Sequence, residues 1–240
     1  MQAKNIPVEE RIIFALDVPD AEEAMNLVKQ LESEIRFFKV GLQLFLAGGF
    51  SIVEWITRRG HKVMLDLKFY DIPKTVELAV RQLNGRGITF ATVHGNSSIM
   101  KAASTAAEDT AVLAVTVLTS LGEEEIQELG ATVSIQELVL KRAVAAEKSG
   151  CRGIVCSPRE VAGVRDKVGN DLVIVTPGIR LESGSTVKDD DQIRFATPFS
   201  AITSGSDYLV IGRPVRDAER PAQAARTIKE EISRALPRLA

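Results

Sequence analysis

The segment Asp66-Leu67-Lys68-Phe69-Tyr70-Asp71-Ile72-Pro73 interleaves acid and base immediately after the apolar run Lys62-Val63-Met64-Leu65. That run reads as a buried strand, and Lys74 to Val80 reads as a helix. In an extended segment, residues two apart point to the same side. Asp66 and Lys68 are therefore expected to project together, with Asp71 a short turn away. Burying charges of alternating sign is expensive and returns little stability, and strand-to-helix loops carry function disproportionately. The array points to chemistry rather than to folding. The alternative is a solvated loop whose charges pair by chance.

The surrounding sequence supplies a regular frame for this array. Candidate strands are Arg11–Asp17, Phe37–Val40, Lys62–Asp66, Thr89–His94, Ala111–Leu118, Gly153–Cys156, Leu172–Thr176 and Asp207–Ile211. Helical patterns lie between them at Ala21–Leu31, Gly49–Arg59, Thr75–Gly85, Ser98–Ala107, Ile135–Ser149 and Pro158–Arg165. A short helix is expected near Thr197–Thr203 and a final one from about Asp217 to Leu236. Alternating strands and helices in 240 residues, without a Pro/Gly/Ser-rich linker, predict an α/β fold. The expected form is one (β/α)8 TIM barrel as a single domain over residues 1–240. A doubly wound open sheet is the structural alternative, but no GxGxxG follows the first strand.

Composition excludes several classes. A net charge of −2, with Lys and Arg scattered along the chain, argues against a general nucleic-acid binder. No apolar run approaches a membrane span, and Met1 to Arg11 lacks the apolar core of a signal peptide. Cys151 and Cys156 have neither CxxC spacing nor nearby His, so reduced thiols are expected. A cytoplasmic location follows as an expectation.

In such barrels the site forms at the C-terminal ends of the strands. Asp17, Lys39, Asp66, Lys68, His94, Thr119-Ser120, Pro177-Gly178-Ile179-Arg180 and Gly212-Arg213-Pro214 all fall there. Taken alone, Asp17 reads equally well as a helix cap, and His94 as a core histidine. Gly212-Arg213, after the last strand, suits a phosphate: glycine permits close backbone approach, and arginine can bind two oxygens at once. The stretch Arg180 to Ser206 is long, polar and rich in Gly, Ser and Asp, which suggests a lid over a phosphorylated ligand.

These residues resemble the orotidine 5′-phosphate decarboxylase family. The segment from Asp66 to Pro73 matches its DxKxxDIP signature. Ala15-Leu16-Asp17, Lys39-Val40-Gly41, Thr176 to Arg180, Asp190-Asp191-Gln192 and Thr197-Pro198 match as well. The resemblance implies decarboxylation of orotidine 5′-phosphate to uridine 5′-phosphate in pyrimidine synthesis, with no cofactor and no metal. It makes Lys68 the donor of a proton to C6 and sets Asp66 near the departing carboxylate. It brings Asp71 in from the other subunit of a homodimer. Lys39 and Asp17 would contact the ribose and support the charged network. Thr119 and Ser120 would read the pyrimidine edge, Ile72, Thr75, Pro177 and Gly212 would line the substrate, and Gln192, Arg213 and Arg180 would serve the phosphate. Neither a nucleic acid nor a membrane is implied as a partner.

Two other readings remain open at this level. One is a related barrel enzyme acting on a sugar phosphate such as 3-keto-gulonate 6-phosphate. Such relatives share an Asp-x-Lys-x-x-Asp segment but use magnesium and carry an acid where this chain has Lys39. The other is a non-catalytic sensor of a phosphorylated ligand.

Overall fold

In the computed structural model, which describes residues 4–128, 130, 132–181 and 195–236, eight parallel strands close on themselves in sequence order. They are β1 (Ile12–Ala15), β2 (Phe37–Gly41), β3 (Lys62–Phe69), β4 (Phe90–His94), β5 (Ala111–Val115), β6 (Gly153–Val155), β7 (Val173–Thr176) and β8 (Tyr208–Ile211). β8 pairs back onto β1 through Ile13 and Val210. The strands read as unbroken apolar runs because both faces are covered, one by the barrel interior and one by helices. The expected barrel is the observed one. The doubly wound alternative fails on the β1–β8 pairing, which leaves no open edge.

The helices are α1 (Val8–Arg11), α2 (Ala21–Leu31), α3 (Leu42–Arg58), α4 (Pro73–Arg81), α5 (Ser97–Ala106), α6 (Glu123–Glu128), α7 (Ile135–Lys148), α8 (Val161–Val168), α9 (Pro198–Thr203), α10 (Arg213–Arg216) and α11 (Pro221–Ala235). Their starts follow ordinary capping chemistry. Asp20 accepts the Glu23 N–H at 2.9 Å, Ser134 accepts that of Glu137, and Thr197 and Ser200 cap one another. Pro73 and Pro221 occupy first-turn positions, where a missing N–H costs nothing.

Several boundaries differ from the sequence expectation. α3 begins at Leu42 rather than Gly49, and its backbone breaks at Gly49, with φ 55° and ψ −148°. Its first turns leave Leu42 and Leu46 exposed, so they lack the buried stripe that marks a helix in sequence. α8 starts at Val161 instead of Pro158, and α11 at Pro221 instead of Asp217. α1, α6 and α10 were not anticipated, being too short for a periodic signal. β5 ends at Val115, so Thr119 and Ser120 sit on the loop beyond it.

The barrel interior is filled from below. Tyr208 meets Phe37 and Phe90 in T-shaped contacts and those two rings are tilted against each other, with ring centroids 5.2–5.8 Å apart. Ile13, Met64, Leu113, Val115, Val155, Val173 and Val175 complete this plug. At the N-terminal end, buried Asp207 accepts from Lys4 Nζ at 2.7 Å, Arg165 Nη2 at 2.9 Å and the Ile174 N–H at 2.8 Å. It ties the leading segment, α8 and β7 together.

Breaking a buried, multiply bonded ion cluster by removing one partner is strongly destabilising. Asp207→Ala is predicted to lower unfolding free energy by about 3–5 kcal/mol in urea denaturation. A loss below about 1 kcal/mol would show that the clamp is dispensable.

Candidate active site

Strand alternation brings every second residue inward. Above the aromatic plug the inward positions change from large and apolar to small or charged. Ala15 pairs with Lys39, and Gly41 with Asp66. Lys39 Nζ donates to Asp17 Oδ1 at 2.8 Å and stands 3.8 Å from Asp66 Oδ2. Lys68 Nζ lies 3.0 Å from both Asp66 oxygens. Charges thus alternate from the loop after β1 across β2 and β3 in the order Asp17, Lys39, Asp66, Lys68. Gly41 fits beside this chain because it has no side chain: a Cβ there would come within 3.2 Å of Lys39 Nζ. Arg216 Nη1 donates to the Asp17 carbonyl at 2.9 Å and fixes the loop that carries it.

The path by which Lys68 meets Asp66 is not the simple pleat expected from sequence. β3 continues to Phe69, and its pairing with β4 is interrupted between Leu65 and Phe69. Lys68 takes φ 49°, the one non-glycine residue in the left-handed region among the described residues. That conformation costs about 1–2 kcal/mol and needs support from its surroundings.

Burial pushes the Asp66 carboxyl up. The charges of Lys39 and Lys68, together with hydrogen bonds from Lys68 and Thr92, overcome that and hold it below the usual carboxylate range. His94 does not line the cavity. It packs on Tyr70 with centroids 4.8 Å apart, and burial, then the charges of Arg142 and Lys68, keep its pKa below the ordinary histidine value.

A cavity of about 240 Å³ opens over this array. One wall is charged: Asp17, Lys39, Asp66 and Lys68. The apolar part of the lining comes from Met64, Val115, Val117, Val155 and Val210. Thr119, Pro177, Gly178, Arg180, Gly212 and Arg213 close the rim. Gly178 has φ 77°, which suits glycine at the turn after β7.

Most sequence-predicted residues therefore converge. Asp71, Ile72, Thr75 and Ser120 do not line the cavity, and all four are exposed. The Asp71 carboxylate accepts the Ile72 N–H at 2.7 Å, and Ile72 and Tyr70 are each 66% exposed. Gln192 lies outside the described residues, as does the stretch 182–194 of the expected lid. Thr92 and Arg216 were missed in the sequence. Neither belongs to a motif, and their roles come from long-range contacts.

Comparison with known proteins gives consistent results. The model of the orotidine 5′-phosphate decarboxylase / HUMPS family matches residues 10–228. The orotidine 5′-phosphate decarboxylase of Methylococcus capsulatus is 46% identical over 230 residues, covering 95% of this chain and 94% of the relative. That of Desulfosudis oleivorans is 44% identical over 242 residues, covering 97% of each. The crystal structure of orotidine 5′-phosphate decarboxylase from Lactobacillus acidophilus superposes with a TM-score of 0.82. It is 35% identical and covers 93% of this chain and 99% of that one.

The depressed Asp66 carboxyl has a consequence for stability. A group whose folded pKa lies below its unfolded value contributes stability above the unfolded value and loses it as pH falls through the folded one. Wild-type melting temperature is predicted to fall more steeply than that of Asp66→Asn between roughly pH 5 and pH 2. Parallel curves would show that the carboxyl is not held low.

Proposed function

The chain belongs to the orotidine 5′-phosphate decarboxylase / HUMPS family, and from that premise we propose that it converts orotidine 5′-phosphate to uridine 5′-phosphate and carbon dioxide in pyrimidine biosynthesis. It is a carboxy-lyase. The observation that carries the mechanism is Lys68 Nζ, 3.0 Å from both oxygens of a carboxylate only 12% exposed on the cavity wall.

The bond between C6 and its carboxylate breaks, and the electron pair stays on C6. The ammonium of Lys68 stabilises that charge as it forms, then delivers a proton to C6. Lys68 regains a proton from solvent. Asp66 faces the departing carboxylate and opposes its negative charge, while the apolar wall of Val115 and Val155 suits neutral carbon dioxide. Lys39 and Asp17 take the ribose, and Thr119 and Ser120 the pyrimidine edge. Pro177, Gly212, Arg213, Arg180 and Gln192 hold the phosphate end. Binding energy from that remote end orients the base and assists the chemical step.

Lys39 favours this reaction over a magnesium-dependent sugar-phosphate reaction. Its ammonium stands between Asp17 and Asp66 at 2.8 and 3.8 Å, where a divalent cation would otherwise bridge them. The reaction is therefore proposed to need neither metal nor cofactor.

The site is proposed to be shared in a homodimer. Asp71, Ile72 and Thr75 are exposed and do not line their own cavity, and Tyr70 and Ile72 leave apolar surface bare beside Asp71. A two-fold interface would bring the partner subunit's Asp71, Ile72 and Thr75 into each site. Among the described residues no helix is long and apolar enough to cross a membrane. A cytoplasmic location, consistent with two buried free cysteines, is part of the same proposal.

Wild-type protein is predicted to consume orotidine 5′-phosphate in an ultraviolet assay. Lys68→Ala is predicted to lose at least about a hundredfold in turnover while still binding uridine 5′-phosphate. Residual activity within about tenfold of wild type would remove Lys68 as proton donor. Exhaustive chelation should leave the rate unchanged; loss in EDTA with rescue by magnesium would favour the sugar-phosphate reaction. Mixing inactive Lys68→Ala and Asp71→Ala proteins under subunit exchange should restore turnover, since one site of each mixed dimer receives both wild-type groups. Verified mixed dimers as inactive as their parents would place Asp71 within its own chain's chemistry.

A further inference from the structure

Between the paired positions Leu65–Ala91 and Phe69–Val93, β3 carries Asp66, Leu67 and Lys68, whereas β4 carries Thr92 alone. Such a bulge leaves ladder groups unpaired and re-aims side chains. Thr92 sits opposite the extra residues and is fully buried. Its hydroxyl accepts the Lys68 N–H at 2.9 Å and donates to Asp66 Oδ1 at 2.9 Å. One side chain thus satisfies a backbone donor displaced from the ladder and a largely covered carboxylate that needs donors.

Resting on the decarboxylase reading, we infer that Thr92 is a positioning residue: its hydroxyl locks the β3 bulge so that the Lys68 ammonium is aimed at the reacting carbon. The left-handed Lys68 backbone has no glycine to ease it and persists because its N–H is held. The same hydroxyl orients Asp66, the partner that fixes Lys68 Nζ. The charged groups facing Asp66 are Lys39 from β2 and Lys68 from β3, with Asp17 bonded to Lys39. Thr92 does not line the cavity, so its effect must pass through these two neighbours rather than through substrate.

Thr92→Val removes the hydroxyl and keeps the shape, Thr92→Ala leaves room for a water, and Thr92→Ser keeps the hydroxyl. Thr92→Val is predicted to lower kcat by about ten- to a hundredfold, the loss expected for one hydrogen bond to a charged group. KM and the affinity for uridine 5′-phosphate should change by less than about threefold, because no substrate contact is removed. Thr92→Ser should return kcat to within about threefold of wild type. If Thr92→Val does not fold, Thr92→Ala against Thr92→Ser decides by the same split. A hydroxyl-free variant with the kcat of Thr92→Ser overturns the inference, as does one that loses only affinity. If wild-type protein does not turn over orotidine 5′-phosphate, the decarboxylase reading fails, and the crystal structure of the hydroxyl-free variant judges Thr92. Lys68 displaced from Asp66 or relaxed from positive φ supports the inference, and an unchanged bulge overturns it.

Discussion

The Asp66 carboxylate is the interaction on which the rest of the site depends. A buried carboxylate without partners would take up a proton. Here Lys68 reaches both oxygens, Thr92 donates to one, and Lys39 stands close to the other. Each contact comes from a specific strand position: β2 for Lys39, β3 for Lys68 and β4 for Thr92. The charges can be buried together only while those strands keep their register. Lys39 is in turn anchored by Asp17, so the balance of charge extends to the mouth of the cavity.

The barrel makes that arrangement possible by dividing its interior. Phe37, Phe90 and Tyr208 fill the lower part, and the Asp207 cluster closes the base. Stability is thus supplied largely away from the chemistry. Above the plug, Ala15, Gly41 and Gly212 replace bulk with space. The result is a cavity lined by both charged and apolar side chains. Preorganised charge of this kind can stabilise a developing charge without rearrangement, which is the role proposed for it here.

Much of this was legible in the sequence, because the signals are local. Apolar runs and helix caps reveal the alternating elements, and the barrel follows from their number and order. The array from Asp66 to Pro73 is contiguous, and Lys39, Arg180 and Arg213 fall at strand ends. What the sequence concealed depends on pairing between distant strands. The continuation of β3 to Phe69 and the positive φ of Lys68 arise where β4 runs out of register with it. Thr92 looks like any β-branched strand residue until that register is known. Leu42 and Leu46 defeated the helix expectation because their apolar side chains face outward. Asp71, Ile72 and Thr75 could be placed in the segment but not in the cavity, since a single chain leaves them exposed.

The most direct test of the account is a crystal structure of the protein with uridine 5′-phosphate bound. The account predicts C6 of the pyrimidine within about 3–3.5 Å of Lys68 Nζ, a reactive approach distance. It also predicts the phosphate against Arg213 and the partner subunit's Asp71 beside Lys68. A nucleotide whose C6 faces away from Lys68, or a site that holds no residue of a second chain, would contradict it.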